Sequence, residues 1–167
     1  ADIEKALKGI RDLKFFNTGQ CCNSINRILV HHSIYDHFVQ SFAEMVKDLK
    51  IGSGLESMDL GPLINQQGKR KIEELIEDAS QKGAEIIQSK KKQKGLLCSP
   101  IIVKHAHSDM RLYAEEIFGP VAAFYSFDTE DEAIAMANDT EYGLASYFYT
   151  ENLSRAMRVS KALEAGS

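Results

Sequence analysis

The sequence predicts an α/β fold: a mainly parallel, doubly wound sheet with helices on both faces. Three observations lead there. Short runs rich in β-branched and aromatic residues, at 27–31, 84–88 and 121–127, have strand character. Longer stretches between and around them carry apolar residues at helical spacing. Strands that alternate with helices of ten or more residues need crossover connections, and these favour parallel pairing with both sheet faces covered.

Taken in order, Ile3, Ala6, Leu7, Ile10 and Leu13 mark an amphipathic helix over residues 2–14. The stretch from Phe15 to Cys22 reads as a loop leading into a short helix, followed by a strand at 27–31 around Ile28, Leu29 and Val30. Ser33 is an N-cap candidate for a long helix with Ile34, Phe38, Phe42, Met45, Val46 and Leu49 on its apolar face. Residues 51–62 form a glycine-rich connection. Asn65 then caps a helix whose inner face is Ile72, Leu75, Ile76 and Ala79, with Gly83 as its stop. Strands follow at 84–88 and, around Pro100, within 96–103. After the strand at 121–127, Thr129 and Glu132 have capping-box spacing, opening a helix that runs to about Asn138. A last strand is expected from Leu144 to Tyr149, and Asn152 caps a final helix through Glu164. No internal repeat or low-complexity tract interrupts this alternation.

The 167 residues fit one domain with a sizeable core, and 44% hydrophobic with 26% charged residues is the balance of a soluble globular protein. A net charge of -4 argues against nucleic acid or an acidic membrane surface as a partner. No run approaches the ~20 apolar residues that span a bilayer, and the N-terminus lacks the build of a signal peptide. Three cysteines, two of them adjacent, make no disulfide framework and point to a reducing, cytoplasmic setting. The chain begins at Ala1 directly in a helical pattern and stops just after another, so it is expected to be a piece of a longer protein.

The chemistry concentrates at Cys21 and Cys22. A thiol attacks as its thiolate, and a loop at a helix end is one place where that form is favoured. Asn17, Gly19 and Gln20 suit a tight polar turn that can aim backbone N–H groups at a developing oxyanion. On spacing alone the two thiols are equivalent, and the alternative that both only pack stays open. Cys98, between Leu97 and Ser99, reads as structural. His31, His32 and His37 lack zinc-site spacing, so no metal site is expected. Lys90, Lys91, Lys92 and Lys94 read as a solvated loop. Glu115 and Glu116, just before Ile117-Phe118-Gly119-Pro120, either hold ligand hydroxyls or are merely solvated.

Three stretches in this order, FFNTGQCC at 15–22, EEIFGPV at 115–121 and NDTEYGLASYFYT at 138–150, followed by RAMRVSKALEAG, resemble the aldehyde dehydrogenase superfamily. GPLIN at 61–65 is a fourth match. The resemblance covers nearly the whole chain and implies the thiol-bearing catalytic domain of that family over 1–167, with the cofactor-binding domain outside it. Its signature places one variable residue between Gln and the nucleophile, which implies Cys22 as nucleophile and Cys21 as the variable neighbour. It implies that Cys22 adds to an aldehyde carbonyl, that its backbone N–H helps hold the oxyanion, and that water later hydrolyses a thioester. Glu116 matches the residue that binds the nicotinamide ribose, and Phe118 the aromatic beside the nicotinamide of NAD or NADP. The general base and the asparagine of the oxyanion hole are implied to lie outside the chain, so residues 1–167 alone are expected not to oxidise aldehydes. A small aldehyde substrate and a homodimer or homotetramer of the full-length protein are implied as partners. The stretch at 138–164 is most similar to the succinate-semialdehyde branch, although Phe16 stands where many members carry a carboxylate-binding Arg, and Ser24 where they carry a second Cys. An acyl-phosphate or acyl-thioester reductase using the same thiol, and a non-catalytic α/β domain, are the alternatives.

Overall fold

In the computed structural model, which describes residues 1–89 and 94–167, four strands form one sheet with helices on both sides. The strands are β1 (Arg27–His31), β2 (Glu85–Gln88), β3 (Ile101–Lys104) and β4 (Val121–Phe127). They lie in the order β1-β4-β3-β2. The β1–β4 and β4–β3 pairs are parallel and β2 runs antiparallel to β3, so the mainly parallel expectation is met with one reversed edge strand.

Residue alternation along β4 explains the two-sided fold. Val121, Ala123 and Tyr125 face one apolar cluster, and Ala122 and Phe124 face another. The first cluster is completed by α3 (Gln66–Gln81) and by Leu112 and Tyr113 of the short α4 (Arg111–Ala114). The second is completed by α1 (Ile3–Phe15) and α2 (Tyr35–Val46), which contribute Ala6, Leu7, Ile10, Phe38, Val39 and Phe42. Small residues at 122 and 123 let helices approach the central strand closely, while Phe124 is met edge-on by Phe42.

The capping signals act as expected, with one shift. Asn65 accepts from the Gly68 N–H (2.8 Å), Asn152 from Arg155 (2.9 Å) and Thr129 from Glu132 (3.2 Å). The Glu132 carboxylate reaches back to the N–H of Asp128, one residue before the cap (2.7 Å). Gly83, at φ +94°, ends α3 in the left-handed conformation. Arg27 stacks over the Tyr113 ring and donates to the Met136, Ala137 and Asp139 carbonyls, capping the C-terminus of α5 (Glu130–Asn138).

Several expectations are corrected. Among the described residues no helix directly follows the thiols; a 3-10 turn at Phe16–Gly19 precedes them, and beyond them Lys14 holds the Ile25 carbonyl while Asn26 is tied to the distant Ile117. Ser33 lies inside a short 3-10 turn, and its N–H is taken by the His31 ring. The final helix, α6 (Leu153–Ala162), stops before Glu164, whose N–H is drawn to the Asn138 side chain. The 96–103 region is ordered as a strand only from Ile101. Residues 144–149 form no strand, and among the described residues they pair with none: the Ser146 N–H meets only the Ser167 carbonyl. Strand character without a ladder partner leaves an open segment. Among the described residues no helix is long and apolar enough to cross a membrane.

Candidate active site

The thiol loop is built by α1 running into a turn with three successive left-handed residues, Asn17 (φ 48°), Thr18 (φ 61°) and Gly19 (φ 72°). This conformation is unfavourable for non-glycine residues, so side-chain bonds must hold it. Thr18 Oγ1 accepts from the Gly61 N–H (3.0 Å) and lies 3.3 Å from the Gly61 carbonyl. Gln20 accepts from the Ile64 N–H (2.7 Å) and donates to the Pro62 carbonyl (3.3 Å), while Asn17 donates to the Gln20 carbonyl (3.0 Å). The Asn-Thr-Gly-Gln motif is thus a set of clamps onto residues 61–64. Beyond it the chain turns, with the Ser24 N–H bonded to the Cys21 carbonyl. Cys21 is half-buried and donates its thiol to Asn23 Oδ1 (2.9 Å), whereas Cys22 is exposed.

A second loop, 115–120, packs against the first. Asn26 bridges them: its amide donates to the Glu115 carbonyl (3.1 Å) and its oxygen accepts from the Ile117 N–H (2.9 Å). A Cβ on Gly19 would overlap the Gly119 carbonyl, so the two backbones touch where no side chain fits. The paired glutamates differ. Arg111 binds the Glu115 carboxylate (2.7 and 3.2 Å) and holds it below the usual carboxylate range. Glu116 instead lines a groove of about 1060 Å³ together with Cys21, Cys22, Lys14, Phe118 and Tyr147. Lys71 donates to the Glu116 backbone carbonyl (2.5 Å). Phe118 is held at φ 52°, rare for an aromatic residue, with 40% of its surface exposed.

The sequence-derived residues Cys22, Glu116 and Phe118 therefore share one groove. The other candidates lie apart from it or take structural roles. Cys98 is buried beside α3, and burial pushes its thiol up to about 11. His32 pairs with Asp128 (2.9 Å) and His31 bonds Ser33; among the described residues no three metal-ligating side chains converge. Lys90, Lys91 and Lys92 lie outside the described residues. Sequence reasoning missed Lys14 and Asn26. A lysine four residues after Ile10 on the apolar face of an amphipathic helix was the available signal for Lys14. Asn26 had none, since its partners lie about ninety positions away.

The chain is similar to known proteins along its whole length. The family model described as "Aldehyde dehydrogenase family" matches residues 1–167. A mitochondrial succinate-semialdehyde dehydrogenase of Oryza sativa is 47% identical over 99% of this chain and 32% of its own length. A succinate semialdehyde dehydrogenase of Acinetobacter baylyi is 45% identical over 99% of this chain and 35% of its own. The crystal structure of an aldehyde dehydrogenase from Brucella melitensis superposes with a TM-score of 0.96 at 48% identity, covering 99% of this chain and 35% of that one. The chain thus spans about a third of the length of these relatives. A match along all 167 residues, joined to the shared fold, shows that the chain belongs to the aldehyde dehydrogenase family.

Proposed function

We propose that this chain is the thiol-bearing catalytic domain of an NAD(P)-dependent aldehyde dehydrogenase that oxidises a small aldehyde, succinate semialdehyde, to the acid. The observation that carries the reading is the common groove in which an exposed thiol, Cys22, meets the Glu116 carboxylate and the exposed Phe118 ring. An apolar ring presented edge or face outward and a carboxylate beside it suit a flat heteroaromatic ring joined to a ribose diol, so these residues fit a nicotinamide nucleotide. When bound, that cofactor accepts a hydride.

The chain's own residues supply the rest. The Cys22 thiolate adds to the aldehyde carbon and forms a thiohemiacetal whose oxygen carries the negative charge. The Cys22 N–H is the donor offered to that oxygen, and the clamped turn at 17–20 keeps it in place without reorganisation during the reaction. Loss of hydride leaves an acyl thioester on Cys22, and water releases the acid and the free thiol. Glu116 orients the ribose and Phe118 the nicotinamide edge. The base that activates the thiol and the water is assigned to the part of the full-length protein outside residues 1–167, which we propose forms a homodimer or homotetramer in the cytoplasm.

The succinate semialdehyde assignment is supported by the relatives named above. Phe16, 66% exposed beside the loop, offers no charge to a substrate carboxylate. Steady-state kinetics of the full-length protein with succinate semialdehyde and with butanal test the substrate. A higher kcat/KM for succinate semialdehyde supports it, and a higher value for butanal overturns that part of the reading.

A further inference from the structure

Lys14 is 1% exposed, a rare state for a lysine, and lies eight residues before Cys22 in the chain. Its ammonium donates to the Ile25 carbonyl (2.8 Å) and to Ser24 Oγ (3.3 Å), and Ser24 Oγ lies 3.3 Å from the Lys14 carbonyl. The lysine thus closes the far end of the loop whose near end is clamped by Thr18 and Gln20. It also reaches the groove that Cys22 and Glu116 line.

We propose that Lys14 is a positioning residue for the nucleophile: it ties Ser24 and Ile25 to α1 and, facing Glu116, holds the thiol loop and the 115–120 loop in one arrangement. This rests on the assignment of Cys22 as nucleophile. The geometry requires a donor that reaches both the Ile25 carbonyl and Ser24 Oγ, and its charge is attracted to the Glu116 carboxylate. An apolar side chain would leave the Ile25 carbonyl without its donor and the Glu116 charge without an opposite charge, whereas a merely space-filling role would be met by any long apolar side chain.

Burial lowers Lys14 to about 7, and the Glu116 carboxylate offsets part of that shift. Glu116 of the next loop is the charged group that acts on it, and Cys21 and Cys22 line the same groove. Arg11 and Asp12 on α1 pair with each other, Arg111 occupies Glu115, and Lys71 binds the Glu116 backbone. The lysine is therefore fully charged well below pH 7 and loses its charge as pH rises through 7, which weakens its bonds to Ser24 and Ile25 and its attraction to Glu116.

The test is iodoacetamide alkylation of the full-length protein from pH 5.5 to 9, read by peptide mapping at each cysteine, with thermal melting as a fold check. The wild type is expected to depart from a single-thiol titration near pH 7. Lys14→Met is expected to slow Cys22 alkylation at pH 7 by about tenfold, because the loop that presents the thiol is no longer held to α1. Lys14→Arg, which stays charged, is expected to restore the rate and remove the departure near pH 7. Superimposable wild-type and Lys14→Arg profiles, or an unchanged Lys14→Met rate, overturn the proposal. Should Lys14→Met fail to fold, Ser24→Ala removes one of the two contacts, and an unchanged profile there overturns it equally. If Cys22 is not the cysteine alkylated in the wild type, the nucleophile assignment fails instead, and the two failures are told apart.

Discussion

Cys22 and Cys98 are the same chemical group in two opposite settings. Cys98 sits in the apolar layer under α3, where burial above all raises its thiol to about 11 and the thiol bonds the Ser99 carbonyl at 3.5 Å. Cys22 stands exposed on a loop that carries almost no hydrophobic burial of its own and is shaped by side-chain bonds to backbone, from Thr18, Gln20, Lys14 and Asn26. The core silences a thiol by desolvation. The loop presents one by fixing its backbone while leaving the sulfur open, an arrangement that hydrogen bonds can make and packing cannot.

The sharpest way to break this contrast is Cys22→Ser in the full-length protein. We expect kcat for aldehyde oxidation to fall by at least about 10³-fold, with Cys21→Ser within about tenfold of wild type. The reverse result moves the role to Cys21. Next, Cys98 should alkylate roughly a hundredfold more slowly than a thiol of ordinary pKa at pH 8, since about 11 against the usual 9.0 leaves that much less thiolate; equal labelling of Cys98 and Cys22 would remove the distinction.

Smaller effects probe the loop itself. Gly19→Ala combines a left-handed φ with overlap on the Gly119 carbonyl and should cost about 2–3 kcal/mol by denaturant unfolding. Asn26→Ala strands the Ile117 N–H and should cost about 1–3 kcal/mol, with kcat falling as well because both groove-lining loops lose their bridge. Thr129→Ala, at the cap of α5 and outside the loop, should cost about 1 kcal/mol and leave kcat unchanged. A large kcat loss from Thr129→Ala would show that activity tracks general stability and not the loop.

Much of the fold was legible because its causes are local. The strand runs at 27–31 and 121–127, and the caps at Asn65, Thr129 and Asn152, follow from side chains acting on their own neighbourhood. The failures share one cause. The run at 144–149 has the composition of a strand, yet a strand exists only through a partner that the run itself does not specify. Likewise Glu115 and Glu116 were indistinguishable in sequence until Arg111 claimed the first and the groove received the second.

By itself the sequence determined the α/β class, the helix caps, the motif pointing to a nucleophilic thiol and, through the family signature, which of two adjacent cysteines to name. Tertiary structure alone decided the strand order, the buried Lys14, the Asn26 bridge and the meeting of Cys22 with Glu116 and Phe118 in one groove. The reason is physical: caps and periodicity act over three or four residues, whereas Asn26 reaches Ile117 across 91 positions, and only the closed sheet brings those two loops within hydrogen-bonding distance.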